Sequence, residues 1–207
     1  MELAGQLPHH RRAPLYAMQG DTNRALAASE RAQQLEPLWL APRTAAANFL
    51  FYARRYEESI RHLEQVLALD DRADSARSSL IRNLIAKGDY GRALVEIDKR
   101  PIQTPGSNAL CAQVLARSGR HEEALVELDR VLELSKQQYV AAYDIALIYA
   151  ALADTENAFL WLERAMEDRS TLIKFLAQDP TLDALHCDAR FGLLVQRIGI
   201  YRRVLAG

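Results

Sequence analysis

Apolar residues recur three and four positions apart along most of the chain, which is the spacing of one face of an α-helix. Three stretches show this spacing best: Ile60, Leu63, Val66 and Leu67; Leu125, Leu128, Val131 and Leu132; and Phe159, Leu162, Ala165 and Met166. Each stretch lies in the second of two consecutive predicted helices. A hairpin of two short helices buries such a stripe only when another hairpin stacks on it. The pattern therefore predicts an all-α solenoid.

The predicted hairpins return at a nearly constant interval. Their turns align on one residue just past the first helix: Gly20, Arg54, Gly88, Gly119 and Ala153. The intervals between these residues are 34, 34, 31 and 34. A glycine past a helix end can adopt the left-handed conformation that closes the last carbonyls. Asp21, Asp89 and Asp154 follow three of the turns and can cap the next helix.

Two further markers keep the same interval. Five positions after each turn the side chain is small: Ala25, Ser59, Ala93, Ala124 and Ala158. Seven positions later the chain has Ala32, Val66, Arg100, Val131 and Ala165. A small residue on the first turn of the second helix lets the two helices of a hairpin approach closely.

These residues resemble the tetratricopeptide repeat family. The best match is residues 142–166, where eight positions fit the family pattern: Tyr143, Ile145, Ala146, Tyr149, Ala158, Phe159, Leu162 and Ala165. The resemblance covers roughly residues 6 to 170 and implies a right-handed superhelical α-solenoid of about five helical hairpins. The expected units are about 6–39, 40–73, 74–104, 105–138 and 139–170, followed by a helical capping segment, 171–207.

Prolines mark two departures from the regular pattern. Pro8 and Pro14 leave only Leu15 to Gln19 helical without strain in the first helix. Pro101 is expected to end the second helix of the third unit near Arg100, where the interval shortens to 31. The Arg100–Ser107 segment is either a tolerated loop deletion or a hinge.

The residues after Ser170 are predicted to be helical but leave the family pattern. One helix is expected from Thr171 to Gln178, a stop at Asp179-Pro180, and another helix after Asp188. The last helix has one face formed by Phe191, Leu194, Val195 and Ile198. The segment resembles the end of the repeat regions of bacterial Ser/Thr kinases and winged-helix transcriptional activators, although Ala189 stands where those proteins commonly have proline.

A second apolar set lies on the final predicted helix. It consists of Leu193, Ile200, Tyr201, Val204 and Leu205. These residues cannot all face the same neighbour as the first set. They either wrap the end of the helix onto the last repeat or form a homodimer contact.

Composition narrows the function classes. A net charge of -1 over 207 residues gives no electrostatic footprint for nucleic acid or an anionic membrane. The first residues lack the apolar core of a secretory signal, and no apolar run is long enough to span a bilayer. Two cysteines cannot form a disulfide framework, which favours reduced thiols and the cytoplasm.

The resemblance also implies a binding surface, because the first helices of tetratricopeptide arrays line a concave groove. Alignment places these residues there: Thr44, Asn48, Phe51, Tyr52, Ser78, Arg82, Gln113, Arg117, Tyr143 and Leu147. Asn48, Arg82 and Gln113 occupy equivalent places and are expected to form a polar ladder for a peptide. The aromatic residues are expected to be anchors. The alternative is an unused, solvated face.

Other chemistry is not indicated. The clamp of chaperone-binding members needs basic residues where this chain has Thr44, Ser75 and Ser79. His186 and Cys187 are adjacent on one turn, and neighbours of that kind rarely converge on one metal ion. No phosphate loop or nucleophile motif is present. We therefore expect no cofactor, no metal and no catalysis.

Two functions fit this pattern. The first is a non-catalytic scaffold that binds another protein or a peptide in the concave groove. The alternative is a regulatory or sensor module of a bacterial signalling protein, a kinase or transcriptional activator, whose effector head is absent from this chain.

Overall fold

A computed structural model describes residues 9–100 and 104–204, and within these ranges the chain forms eleven α-helices, two 3-10 helices and no strand. The chain divides into two compact units, Met1–Lys87 and Gly88–Gly207. Helices of successive hairpins follow one another throughout, so the all-α solenoid is confirmed. Among the described residues no helix is long and apolar enough to cross a bilayer.

The first unit contains five helices in two layers. They are α1 (His9–Met18), α2 (Thr22–Leu35), α3 (Ala41–Tyr52), α4 (Tyr56–Leu69) and α5 (Asp74–Lys87). The first helices of the hairpins lie side by side, because α3 contacts both α1 and α5. The second helices lie on the other side, where α2 contacts α1 and α3, and α4 contacts α3 and α5.

The second unit repeats this arrangement and then closes it. Its α-helices are α6 (Tyr90–Asp98), α7 (Pro105–Arg117), α8 (His121–Ser135), α9 (Ala142–Ala151), α10 (Thr155–Glu167) and α11 (Ala189–Val204). The 3-10 helices, Ile173–Gln178 and Pro180–Leu185, lie between α10 and α11. First helices α7 and α9 contact each other, and the second 3-10 helix contacts α9. We call residues 173–185 the 3-10 segment.

The markers of the repeat have the predicted geometry. All five turn residues have a positive φ, from 61° at Ala153 to 83° at Gly119, so two non-glycine residues also adopt the left-handed conformation. All five small residues that follow are 0% exposed. Ser59 shows why size matters, because its hydroxyl donates to the Ala47 carbonyl across the hairpin at 2.7 Å. The three capping aspartates each accept a bond from the backbone N–H three residues later.

The first helix differs from the prediction. It runs from His9 to Met18 with Pro14 inside it, rather than beginning at Leu15. A proline inside a helix removes one backbone hydrogen bond. The helix is retained because Ala13 and Ala17 are buried in the contact with α2. Tertiary packing therefore outweighs the local preference.

The shortened third unit follows the prediction at its helix end. The α6 helix ends at Asp98, two residues before Arg100. Pro105 is the first residue of α7, and the hydroxyls of Thr104 and Ser107 cap that helix reciprocally. Residues 101–103 of the Arg100–Ser107 segment lie outside the described residues, and the hinge stays a prediction.

The C-terminal part is confirmed in its last helix and corrected before it. The helix predicted from Thr171 to Gln178 is a 3-10 helix that begins at Ile173, and Pro180 begins a second 3-10 helix rather than only stopping the first. The α11 helix begins at Ala189, 34 residues after Thr155, the first residue of α10. Its spacing thus continues the repeat interval although its residues depart from the family pattern.

Candidate functional site

The predicted groove residues of the first unit lie on α3 and α5. Asn48 and Tyr52 of α3 and Ser78 and Arg82 of α5 are half-buried, so each presents part of its side chain. Asn48 and Arg82 are 34 residues apart and occupy equivalent places on two helices that contact each other. We call these four residues the α3–α5 surface. Thr44, predicted beside them, is 9% exposed and donates to the Leu40 carbonyl at 3.4 Å.

Phe51 was predicted as an aromatic anchor for a ligand, and its burial contradicts that role. It is 2% exposed and is surrounded by its own neighbours. The rings of Tyr52 and Tyr56 lie 5.3 and 6.0 Å from it, centroid to centroid. The guanidinium carbon of Arg82 lies 5.0 Å from its centroid. Phe51 therefore forms a floor that holds the Arg82 guanidinium by a cation–π contact.

The predicted residues of the second unit are more deeply buried. Gln113, Tyr143 and Leu147 are at most 3% exposed, whereas Arg117 is half-buried. The burial of Tyr143 and Leu147 has a visible cause, because both pack in one apolar cluster with Leu182 of the 3-10 segment. A ligand cannot reach these side chains while the segment covers them. Tyr143 as an anchor for an external ligand is thus contradicted by its position.

Polar contacts fix the 3-10 segment on this face. The Tyr143 hydroxyl donates to Asp179 Oδ2 at 2.8 Å. Asp179 is 0% exposed and also accepts from the backbone N–H of Thr181 at 3.0 Å and from its hydroxyl at 2.5 Å. Arg117 Nη2 donates to the Thr181 carbonyl at 2.6 Å. A buried carboxylate is tolerable because three donors replace its lost water.

The sequence carried only a partial signal for this contact. Asp179 before Pro180 was recognised as a helix stop, and an aspartate in that position also caps the following turn. Nothing in the local pattern shows that the segment folds back onto α9 and reaches Arg117, 64 residues away along the chain. Long-range pairing of this kind is invisible to periodicity.

Titratable side chains do not assemble a reactive centre in the part of the chain that the structure describes. No group of three His, Cys, Asp or Glu residues there could hold a metal ion. His186 packs against the Phe191 ring at 4.4 Å, centroid to centroid. Burial, with smaller contributions from Glu127 and Asp98, raises the pKa of the Cys111 thiol to about 11. A thiol with so high a pKa is a poor nucleophile.

The second apolar set of the C-terminal helix is described only in part. Leu193 is 59% exposed on α11. The side chains of Ile200, Tyr201 and Val204, and Leu205 as a whole, lie outside the described residues. The homodimer contact through this set therefore stays a prediction.

Comparisons with known proteins agree with this architecture. A family model described as a tetratricopeptide repeat matches residues 50–118. The crystal structure of a tetratricopeptide repeat protein from Parabacteroides merdae is similar with a TM-score of 0.52 at 10% identity, over 93% of this chain and 78% of that one. No curated protein sequence matches. The structural likeness shows the fold, and the resemblance of the C-terminal part to kinases and activators stays a prediction.

Proposed function

We propose that this tetratricopeptide repeat protein is a non-catalytic scaffold that binds a peptide segment of another protein on the α3–α5 surface. The family match and the structural likeness support a role in protein interaction in general. The choice of surface rests on the difference between the two first-helix faces. The face of the second unit is covered by the 3-10 segment, whereas Asn48, Tyr52, Ser78 and Arg82 remain partly exposed.

One observation carries the proposal: the first-helix face of the second unit already binds a polypeptide, the chain's own 3-10 segment. Arg117 takes a backbone carbonyl there, and Tyr143 takes a carboxylate. The bound segment is a tight turn rather than a helix of the array. The same layer of helices in the first unit is built on the same interval, which supports binding of a peptide there.

The side chains of the α3–α5 surface suit a peptide ligand. The Asn48 amide can both donate to and accept from a backbone amide. The Arg82 guanidinium, held over Phe51, offers a planar fork for a carboxylate or a carbonyl. Tyr52 adds a ring with a polar end, which is common in recognition surfaces. We therefore propose a ligand segment with a free backbone edge and an acidic group.

A peptide-display selection on the purified full-length protein tests the proposal. Selected peptides are then titrated by calorimetry against the wild type and the double variant Asn48→Ala/Arg82→Ala. We expect the variant to bind about tenfold more weakly or worse, because a guanidinium and an amide contact are lost together. Its unfolding free energy should stay within about 1 kcal/mol of the wild type, as is usual for partly exposed residues.

A matched double variant on the other side of the hairpin controls for nonspecific effects. Arg61→Ala/Gln65→Ala changes two exposed residues of α4 and should leave peptide affinity unchanged. Unchanged affinity in Asn48→Ala/Arg82→Ala would contradict the proposed surface. An equal loss in both double variants would show that the peptides do not recognise one face.

A further inference from the structure

Exposed aliphatic side chains recur at one position on the second helices of the second unit. Val95 of α6, Val126 of α8 and Leu160 of α10 each lie seven residues after a turn residue. They are 52%, 53% and 64% exposed, respectively. The first unit has Ala27 and Arg61 at the same position. An isolated exposed aliphatic residue is ordinary, but three at equivalent positions on consecutive hairpins form an apolar row.

Carboxylates flank this row in the same way on two helices. Glu122 and Asp129 lie four residues before and three residues after Val126, so all three share one face of α8. Glu156 and Glu163 stand in the same relation to Leu160 on α10, each 34 residues after its counterpart. The two helices thus present the same motif, an aliphatic residue between two acids that are two helical turns apart.

On α10 this motif is occupied by α11. Arg190 donates to Glu156 at 2.9 Å and Arg197 to Glu163 at 2.7 Å, and the two arginines are also seven residues apart. Phe191, Leu194 and Ile198 of α11 are buried in the contact with the rest of the unit. A hollow of about 540 Å³ with Leu160 and Leu193 in its lining remains above the two helices.

On α8 the motif has no such occupant. Glu122, Val126 and Asp129 are exposed, as is the adjacent Leu125 at 50%. Neither Glu122 nor Asp129 forms an ion pair with any residue in the ranges that the structure describes. The basic side chain nearest in sequence, Arg130, is paired with Glu127 at 2.7 Å. The surface therefore has both uncovered apolar area and unneutralised negative charge.

We propose that the α8 surface, formed by Glu122, Leu125, Val126 and Asp129, binds a basic amphipathic helix of another protein. Two features of the surface specify this partner. Charge complementarity requires two arginine or lysine residues seven positions apart, a distance of about 10.5 Å along a helix. An aliphatic residue between them covers Val126, since exposed ion pairs alone contribute little affinity. The α11 helix supplies the pattern, because it satisfies the equivalent acids of α10 in this way.

A synthetic peptide with the sequence of residues 189–204, carrying a fluorophore, is the probe for the full-length protein. Gly192 and Gly199 are replaced by alanine in it to raise helicity, since a Cβ at either position meets open space. Fluorescence anisotropy should show saturable binding in about the micromolar range. A peptide with glutamate in place of both Arg190 and Arg197 should not bind.

Variants of the protein locate the binding. Val126→Arg reproduces the arginine that α4 has between Glu57 and Glu64, so the fold should tolerate it. This variant and Asp129→Lys should each lower peptide affinity about tenfold or more. Glu64→Lys, which changes the matching acid on α4, should leave the affinity unchanged. Asn48→Ala/Arg82→Ala should also leave it unchanged, which separates this surface from the α3–α5 surface.

Several outcomes would overturn the proposal. These are absence of saturable binding, or binding that Val126→Arg leaves intact. If Glu163→Lys abolishes binding while Val126→Arg does not, the peptide is replacing α11 on α10 instead. Light scattering of the protein alone gives the last outcome: self-association that Val126→Arg abolishes would assign the α8 surface to a second copy of this chain.

Discussion

The two units apply one helical pattern to opposite ends on their first-helix faces. In the first unit, α3 and α5 leave Asn48 and Arg82 partly exposed over a floor made by Phe51. In the second unit, Tyr143 and Leu147 occupy comparable places but are buried under the 3-10 segment. The interval and the small residues at the helix crossings are the same. What differs is whether the chain supplies its own polypeptide to cover the face.

This comparison shows that equivalent positions in a repeat array need not have equivalent roles. Repeat packing fixes which side chains point to the first-helix face, and neighbouring segments then decide whether that face is available. The outer faces differ in the opposite sense, because the second unit has exposed aliphatic residues where the first unit has Ala27 and Arg61. The units are therefore suited to different partners.

The largest expected effect comes from weakening the cover of the second unit. Leu182 is 0% exposed in the apolar cluster that includes Tyr143. Leu182→Ala should lower the free energy of unfolding by about 3 kcal/mol, because it removes buried methyl groups and leaves a cavity. Urea denaturation measures the change. Leu193→Ala, at an exposed leucine of α11, is the control and should cost less than about 1 kcal/mol.

The next effect tests the hairpin packing that both units share. Ala124 is 0% exposed where α7 and α8 meet, in contact with Leu115 and Ala116. Ala124→Leu should destabilise the protein by about 2 kcal/mol, because a larger side chain forces the two helices apart. Ala27→Leu makes the same change at an exposed site on α2 and should be nearly neutral. A stabilising Ala124→Leu variant in thermal denaturation would contradict the alignment of the repeats.

A smaller effect concerns the polar contact under the cover. Tyr143→Phe removes the hydroxyl that donates to the buried Asp179 carboxylate. The cost should be about 1 to 2 kcal/mol, since a buried charged acceptor loses one of three donors. Tyr139→Phe, at a tyrosine 73% exposed, is the matched control for chemical denaturation. Equal stability of the two variants would mean that the hydrogen bond does not hold the 3-10 segment.

The smallest effect is a pH dependence at the contact of α11 with α10. Hydrogen bonds from Arg190 lower the pKa of Glu156 and of Asp188 below their ordinary values. Carboxylates with a lowered pKa stabilise the folded state above that range, and the contribution is lost as the pH falls through it. Arg190→Gln should therefore be less stable than the wild type near neutral pH and lose that difference on acidification. A difference that persists in acid would contradict the ion-pair explanation, and Arg130→Gln provides the comparison.

Local rules predicted much of the fold, because the repeat depends on contacts between neighbouring elements. The turn glycines, the small residue of each crossing and the face of α11 all follow from spacing within one hairpin or one helix. Pro14 was misjudged because burial of Ala13 and Ala17 compensates for one missing hydrogen bond. In that case, tertiary packing decided the outcome.

The candidate site was less predictable for the same physical reason. Alignment placed Asn48 and Tyr143 on first helices in the same way, and both assignments to those helices are correct. Their accessibility depends on where a segment without repeat character folds, and residues 173–185 carry no pattern that specifies their contact with α9. Sequence periodicity identifies a face, and only the three-dimensional contacts show that one half of it is covered.

Amide chemical-shift changes on addition of a selected peptide to the full-length protein test the central claim most directly. The account predicts that the largest changes fall in α3 and α5, around Asn48, Tyr52, Ser78 and Arg82. The residues of α7 and α9 should shift little, because the 3-10 segment stays in place over them. Changes centred on Arg117 and Tyr143, with loss of the 3-10 segment's native signals, would contradict it.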